Sequence, residues 1–401
     1  MEQLAINGGT PVRDVKSRPW PQWPIWDERD VQAVNDVIRS GAWTGATQVN
    51  AFAQEFAQFH EARFGVCNAS CTISLQSALR AAGVGMGDEV IVPPYTFIAV
   101  PTVVLLVNAV PVFADIDPDT HTLDPKAAEA AITPRTRAIL VVHHAGCPAD
   151  MDAFPELARK HNLALIEDCA TAHTSAWRGR KVGAIGDMGG FSFNASKTMT
   201  AGEGGIIVTD NEEYYERCAS IVNVGRLVPG AKYEHTLAGT NLRMTEFQAA
   251  LLRVQLTRMP EQAARRWENG LFLNRELAKI PGIRPMKLDE RVTGHSFRNY
   301  PFRFDAAQFG RMTRAEFTKA LSAEGVPCGG GARPLYRDSL FRPQNTYAGT
   351  QMDYSKVYCP VAERAAEEEA VMLRQTQLLG TREDTQDIID AVAKVQRAAS
   401  R

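Results

Sequence analysis

The sequence predicts an α/β protein, with a mostly parallel sheet covered by helices on both faces and a smaller α+β region after it. Three observations carry this. Short, near-continuous apolar runs recur between residues 89 and 208, and such runs belong to strands buried on both faces. Helical patterns lie between several of them, the alternation that builds parallel sheets. The chain has 401 residues, beyond the size at which a single core stops growing, so two domains are expected, at 1–255 and 256–401.

In chain order, the Pro/Trp-rich opening at 18–26 is irregular, and Asp27 reads as the N-cap of a helix running to about Ser40. Trp43-Thr44-Gly45 reads as a turn, and a second helix is expected over 51–64. Strands are expected at 89–92, 110–114, 138–142, 164–167, 189–193 and 205–208, with helices at 72–82, 125–131 and 152–160. A long helical stretch at 245–278 is expected to be interrupted near Pro260, because proline lacks the N–H and its ring crowds the preceding turn. Beyond it come a strand near 297–304, a helix over 313–324, a Gly/Pro-rich loop at 329–334 and a last helix over 384–397.

Composition narrows the function. The formal charge is −2, from 44 Lys+Arg against 46 Asp+Glu, so no electrostatic footprint argues for nucleic acid or an anionic membrane. No run of about 18 apolar residues and no basic leader is present, and a soluble cytoplasmic protein is expected. The 7 cysteines are scattered and odd in number, which speaks against a disulfide framework. Cys67 and Cys71 lack a second Cys/His cluster at zinc-ligand spacing, and His143-His144 reads as a strand-end pair, so no metal is expected.

The chemistry gathers around Lys197 and Asp168. Lys197 lies in Phe191-Ser-Phe-Asn-Ala-Ser-Lys197, ahead of Gly202-Glu-Gly-Gly205, in surroundings that would lower its pKa and free its amine as a nucleophile. Asp168 ends the apolar run Leu163-Ala-Leu-Ile-Glu-Asp168, and a carboxylate there needs a partner. An amine on a turn and an acid at a strand end are the pair that pyridoxal phosphate (PLP) requires, as Schiff-base lysine and pyridine-nitrogen partner. Ser70-Cys71-Thr72 precedes a helix and could take the phosphate, with Ser192 as a further donor, although alone it is an ordinary N-cap. Phe97, after a strand end, could stack on the ring; alone it would be core.

These stretches, with Asp88–Phe97, Pro111–Asp117, Ala149–Asp152 and Asn241–Ala249, resemble the DegT/StrS sugar aminotransferases, a branch of the fold-type I PLP enzymes, over most of the chain. The resemblance implies a large domain with a seven-stranded sheet and a smaller α+β domain. It implies the roles above for Lys197, Asp168, Phe97, Thr72 and Ser192. It also implies that Asn241 reaches the phosphate of a neighbouring subunit, hence a homodimer with shared active sites. The chain departs from the family at Cys71 (usually Gly), Thr171 (usually Gln or His) and Thr174 (usually Gly). The opening 4–13, Trp43–Gly45 and Pro334–Arg337 are similar to inosose aminotransferases and aminohydroxybenzoate synthases. That similarity implies a keto-cyclitol or keto-sugar acceptor, a glutamine or glutamate donor, and antibiotic-type biosynthesis, with Arg226, Arg243, Arg333 and Tyr336 as candidate substrate ligands. Two other readings stand beside it: a PLP dehydratase or aminohydroxybenzoate-synthase-like enzyme, and a non-catalytic PLP-fold regulator. Lys197 disfavours the sugar dehydratases, which carry His at that place.

Overall fold

The computed structural model describes residues 3–227, 234–331, 333–342 and 353–399. Its opening helices are α1 (Glu28–Ser40), capped by Asp27 through the Arg29 N–H at 2.9 Å, and α2 (Thr47–Phe59). The second helix ends short of residue 64. The chain reverses at Glu61, whose φ is +59°, and enters β1 (Phe64–Asn68), a strand missing from the sequence reading, which carried the helix to 64.

The alternation then runs α3 (Cys71–Ala81), β2 (Glu89–Val92), α4 (Ala99–Leu106), β3 (Val110–Phe113), α5 (Pro125–Ala130), β4 (Thr136–Val142), α6 (Ala153–His161) and β5 (Ala164–Asp168). A small hairpin, β6 (Ala176–Trp177) and β7 (Arg180–Lys181), precedes β8 (Met188–Ser192), β9 (Gly205–Thr209) and α7 (Glu212–Val222). Seven strands hydrogen-bond in the order β1-β9-β8-β5-β4-β2-β3. From β8 to β3 every pairing is parallel, while β9 is antiparallel to both its neighbours. In β4, Ala138, Leu140 and Val142 face one core with Val90 and Val92, whereas Ile139 and Val141 face another with Ile91. Side chains alternate faces along a strand, and here both faces are covered, so the run is apolar throughout.

α8 (Glu246–Leu277) follows as one helix of 32 residues with Pro260 inside it, where an interruption was expected. α1 and α2 pack along it, and this packing offsets the backbone bond lost at the proline. The expected division at residue 255 falls inside this helix. Next come β10 (Ile283–Pro285), β11 (Val292–Gly294), β12 (Asn299–Phe304), α9 (Arg314–Ala323), β13 (Cys328–Gly330), α10 (Pro360–Arg364), β14 (Ala370–Arg374) and α11 (Arg382–Ala399). An antiparallel sheet, β10-β12-β14-β13, packs with α9 and α11 around Phe302, Phe304, Phe317, Leu373, Ile388 and Val392. β11 joins the β6–β7 hairpin instead, tying the C-terminal region to the loop after β5. Among the described residues no helix is long and apolar enough to cross a membrane.

Candidate active site

Asp168 occupies the carboxyl end of β5, beside Val142 of β4 and Gly190 of β8. Ligands of α/β sheets bind at this edge. The carboxylate is 6% exposed, and its Oδ1 accepts the Ala170 N–H at 2.8 Å with the Cys71 Sγ at 3.9 Å. Burial pushes its pKa up, opposed by the Ala170 N–H and by the charge of Lys197. It is therefore a desolvated acid short of a cation in contact, which a pyridinium N–H would supply.

Lys197 lies on the turn between β8 and β9. Ala195 donates to the Gly202 carbonyl at 2.9 Å, Lys197 N–H to the Asn194 carbonyl at 2.9 Å, and Thr200 Oγ1 to the Phe193 carbonyl at 2.9 Å. Gly202, at φ +83°, takes the left-handed conformation that closes the turn. Phe191, Phe193 and Met199 anchor it in the core. Burial lowers the Lys197 pKa, Asp168 opposes this, and the Arg298 guanidinium adds to it. A lysine so placed is nearer to its nucleophilic, neutral form.

α3 begins at this point, held to the lysine turn by a bridge between Ser70 and Gly204. Ser70 Oγ accepts the Ile73 N–H at 3.3 Å, and Ser74 N–H reaches the Ser70 carbonyl at 3.0 Å. The N–H groups of Cys71 and Thr72 remain as the helix's open donors, where its dipole favours an anion. Cys71, 7% exposed, turns its sulfur inward to Asp168, so the side chain the family usually lacks does not stand over these donors. Ser192 is buried at the adjoining strand end, its Oγ accepting from Asn194 N–H at 3.4 Å. Phe97 follows β2 and is 72% exposed, an uncovered aromatic face in place of the core position it would otherwise fill. Anion donors, a buried acid, an amine and a bare ring fit a flat phosphorylated pyridine.

The other candidates are placed differently. Thr171 spends its hydroxyl on the His143 carbonyl at 2.8 Å. Asn241 and Arg243 are exposed, the latter donating to Asn223 Oδ1 at 2.8 Å. Arg226 is half-buried and forms a bridge with His235, and Arg333 is exposed. Tyr336, 5% exposed, lies against Phe113 in the core and its hydroxyl contacts Glu363 Oε1 at 2.5 Å. The structure thus packs Tyr336 between Phe113 and Glu363. Three residues absent from the sequence reading of the site do reach it. His143 accepts the Ala149 N–H on Nδ1 at 3.0 Å and meets Glu167 on Nε2 at 2.9 Å, behind Asp168. Gln375 donates to the Lys197 carbonyl at 3.0 Å, and Arg298 presses on the lysine charge.

A half-buried lysine and a buried acid that feel each other's charge lie at the carboxyl edge of a mostly parallel sheet, an arrangement suited to group transfer. A family model described as the DegT/DnrJ/EryC1/StrS aminotransferase family matches residues 24–393, and the chain belongs to that family. It is an aminotransferase. It is 44% identical over 411 residues, 98% of each chain, to a Streptoalloteichus tenebrarius protein provisionally assigned as an L-glutamine:3-amino-2,3-dideoxy-scyllo-inosose aminotransferase. It is 39% identical over 418 residues, 98% of this chain and 97% of the other, to the L-glutamine:2-deoxy-scyllo-inosose aminotransferase of Streptomyces paromomycinus. Among solved structures, 3-amino-5-hydroxybenzoic acid synthase matches with a TM-score of 0.87 at 34% identity, over 95% of this chain and 99% of that one.

Proposed function

We propose that this chain uses PLP to move an amino group from L-glutamine to an inosose-type keto-cyclitol, in antibiotic-type biosynthesis. The observation that carries it is the Lys197 amine set opposite Asp168 beside the open N-terminus of α3. The names of the two inosose aminotransferases support the donor and the acceptor class. When bound, the cofactor supplies an electron sink for the carbon that loses or gains nitrogen.

The chain's own residues do the rest. Asp168 holds the ring N–H and keeps that nitrogen protonated. The N–H groups of Cys71 and Thr72, with the hydroxyls of Ser70, Thr72 and Ser192, bind the phosphate. Phe97 covers one ring face and keeps water from it. Lys197 would hold the cofactor through its aldehyde. Its amine would also be placed to carry a proton at the substrate carbon. The reading includes residues 1–255 as the cofactor-binding domain, 256–401 as the smaller one, and a homodimer in which exposed Asn241 reaches the phosphate of the second copy.

Borohydride reduction of the yellow protein, followed by peptide mapping, should trap the cofactor on Lys197. L-Glutamine should convert its spectrum to the amine form of the cofactor, and 2-deoxy-scyllo-inosose should restore it. A colourless protein with no trapped lysine would contradict the reading. The likeness to 3-amino-5-hydroxybenzoic acid synthase supports an aromatising dehydration as the second reading, and the same protein offered an aminodehydroshikimate-type substrate tests it.

A further inference from the structure

His173 is buried, polar and untouched by the chemistry assigned to Lys197 and Asp168. It is 0% exposed, on the loop that leaves Asp168, against the rings of Phe191 and Phe193, whose centroids are each 5.8 Å away. A phenylalanine would fill that space without the cost of desolvating an imidazole. What histidine adds is two nitrogens, and both are engaged. Nε2 lies 2.8 Å from the Ser192 carbonyl at the end of β8, and Nδ1 lies 3.1 Å from the Thr198 hydroxyl, next to Lys197. A carbonyl only accepts, so Nε2 carries the hydrogen. Burial drives the pKa to about 3, so the ring is neutral and Nδ1 accepts from Thr198.

The two partners flank the lysine. Ser192 stands five residues before Lys197 and Thr198 directly after it, so the imidazole fastens both ends of the segment that carries the amine. The loop that holds the ring is fixed in turn. Cys169 donates its N–H to the Gly190 carbonyl at 2.9 Å, Ala172 to the Cys169 carbonyl at 2.9 Å, and the Ser175 hydroxyl to the Gly146 carbonyl at 2.6 Å. Thr171 spends its hydroxyl on the His143 carbonyl. Among the described residues His173 is therefore the side chain of this loop that joins the acid's end of the site to the amine's. A pyridine is rigid, with its nitrogen and the carbon bearing the aldehyde at opposite ends of the ring. Holding both ends requires acid and amine at one fixed separation.

We propose that His173 is the positioning residue that sets the interval between Asp168 and Lys197, so that one flat ring meets both. This rests on the reading of Lys197 and Asp168 as the cofactor's residues. Without the two imidazole bonds the lysine segment keeps its own turn, through Lys197 N–H to the Asn194 carbonyl at 2.9 Å, but loses its side-chain tie to the acid's loop. The acid still takes the ring nitrogen, and the amine is no longer delivered to the aldehyde.

The test measures, by calorimetry, the affinity of the apoprotein for two ligands. PLP must meet acid and amine together; 4′-deoxypyridoxine phosphate, with a methyl group in place of the aldehyde, needs only the acid and the phosphate donors. H173F keeps a ring and drops both bonds, and should weaken PLP about 30-fold while the deoxy compound stays within about 3-fold. T198V removes only the hydroxyl and should weaken PLP about 5-fold, with the double variant no weaker than H173F, because both changes cut one link. Equal weakening of the two ligands would reduce His173 to a structural side chain, and unchanged PLP binding would remove it from the site; either overturns the proposal. Should H173F fail to fold, T198V decides alone: selective weakening of PLP upholds the proposal, and equal or absent weakening overturns it. Native protein that binds the deoxy compound but yields no borohydride-trapped PLP on Lys197 would overturn the underlying reading, and this proposal with it.

Discussion

Lys197 and Asp168 are each pushed toward neutrality by burial, and each opposes that shift in the other. For the lysine the folded pKa lies below 10.5, so the unfolded chain binds the proton more tightly and stability falls as pH drops below 10.5. For the aspartate the folded pKa lies above 3.8, so stability is lost as pH rises from 3.8 through the raised value. Both groups are thus held at a cost that a pyridinium and an aldehyde would relieve. Capture of the cofactor by the apoprotein should accelerate with pH and level off below 10.5, the ordinary lysine value, in a stopped-flow series; a midpoint at or above it would show an unperturbed amine. Lys197→Ala should lower turnover by about 1,000-fold or more, since it removes both the anchor and the proton carrier; transamination at the native rate would refute its role. These two residues were legible because each lies in a short local pattern, an acid closing an apolar strand and an amine before a glycine turn. Gln375 was not, because it meets Lys197 across 178 positions of chain, and no local pattern marks an encounter made only by tertiary packing.

At the scale of elements, helix ends are satisfied from a distance. α2 begins after Ala46, which has no side chain able to cap it. Glu246, 1% exposed at the start of α8, supplies the cap, accepting the N–H groups of Ala46 at 2.9 Å and Gln48 at 2.6 Å. Asp115 does the same for α10, accepting from Val361 at 2.9 Å and Ala362 at 3.0 Å. Glu246→Ala should therefore destabilise the protein by about 2 kcal/mol, leaving half-buried donors unpaired; urea unfolding measures this, and a loss under about 0.5 kcal/mol would show that water replaces the cap. The same features explain which elements could be read. The strands at β2, β4 and β5 announce themselves because both faces are buried. Phe64–Asn68 went unread as a strand and the preceding helix was carried to 64, since no glycine or proline separates Phe59 from Phe64 and the break is a lone left-handed Glu61. α4 escaped notice because Pro101 and three valines read as non-helical, yet the proline falls in the first turn, where its missing N–H has no acceptor to lose.

For the molecule as a whole, acid is the predicted weakness. Five of its 8 histidines are driven down by desolvation, His60, His121, His173 and His295 to about 3 and His144 to about 4. Unfolded, they would take up protons near 6.5, so the unfolded chain is favoured as pH falls below that value. The upper bound is about 2 kcal/mol per histidine between pH 7 and 5. Thermal unfolding should show a clearly lower midpoint at pH 5 than at pH 7, and equal midpoints would mean that these rings are already charged or exposed. The change of pattern after residue 244, from a mostly parallel sheet to an antiparallel one, was legible, but the unbroken helix between the two sheets was not, because Pro260 signalled an ending that packing overrides. That helix bears on motion. The amide of Gln375 grips the peptide carbonyl behind the reactive nitrogen from the end of β14, while Arg266 on α8 steadies the same amide. Any swing of the C-terminal sheet against the cofactor cradle must pull on that carbonyl. Closing over a bound donor and re-aiming the amine would then be one mechanical event, with a side-chain amide as its linkage.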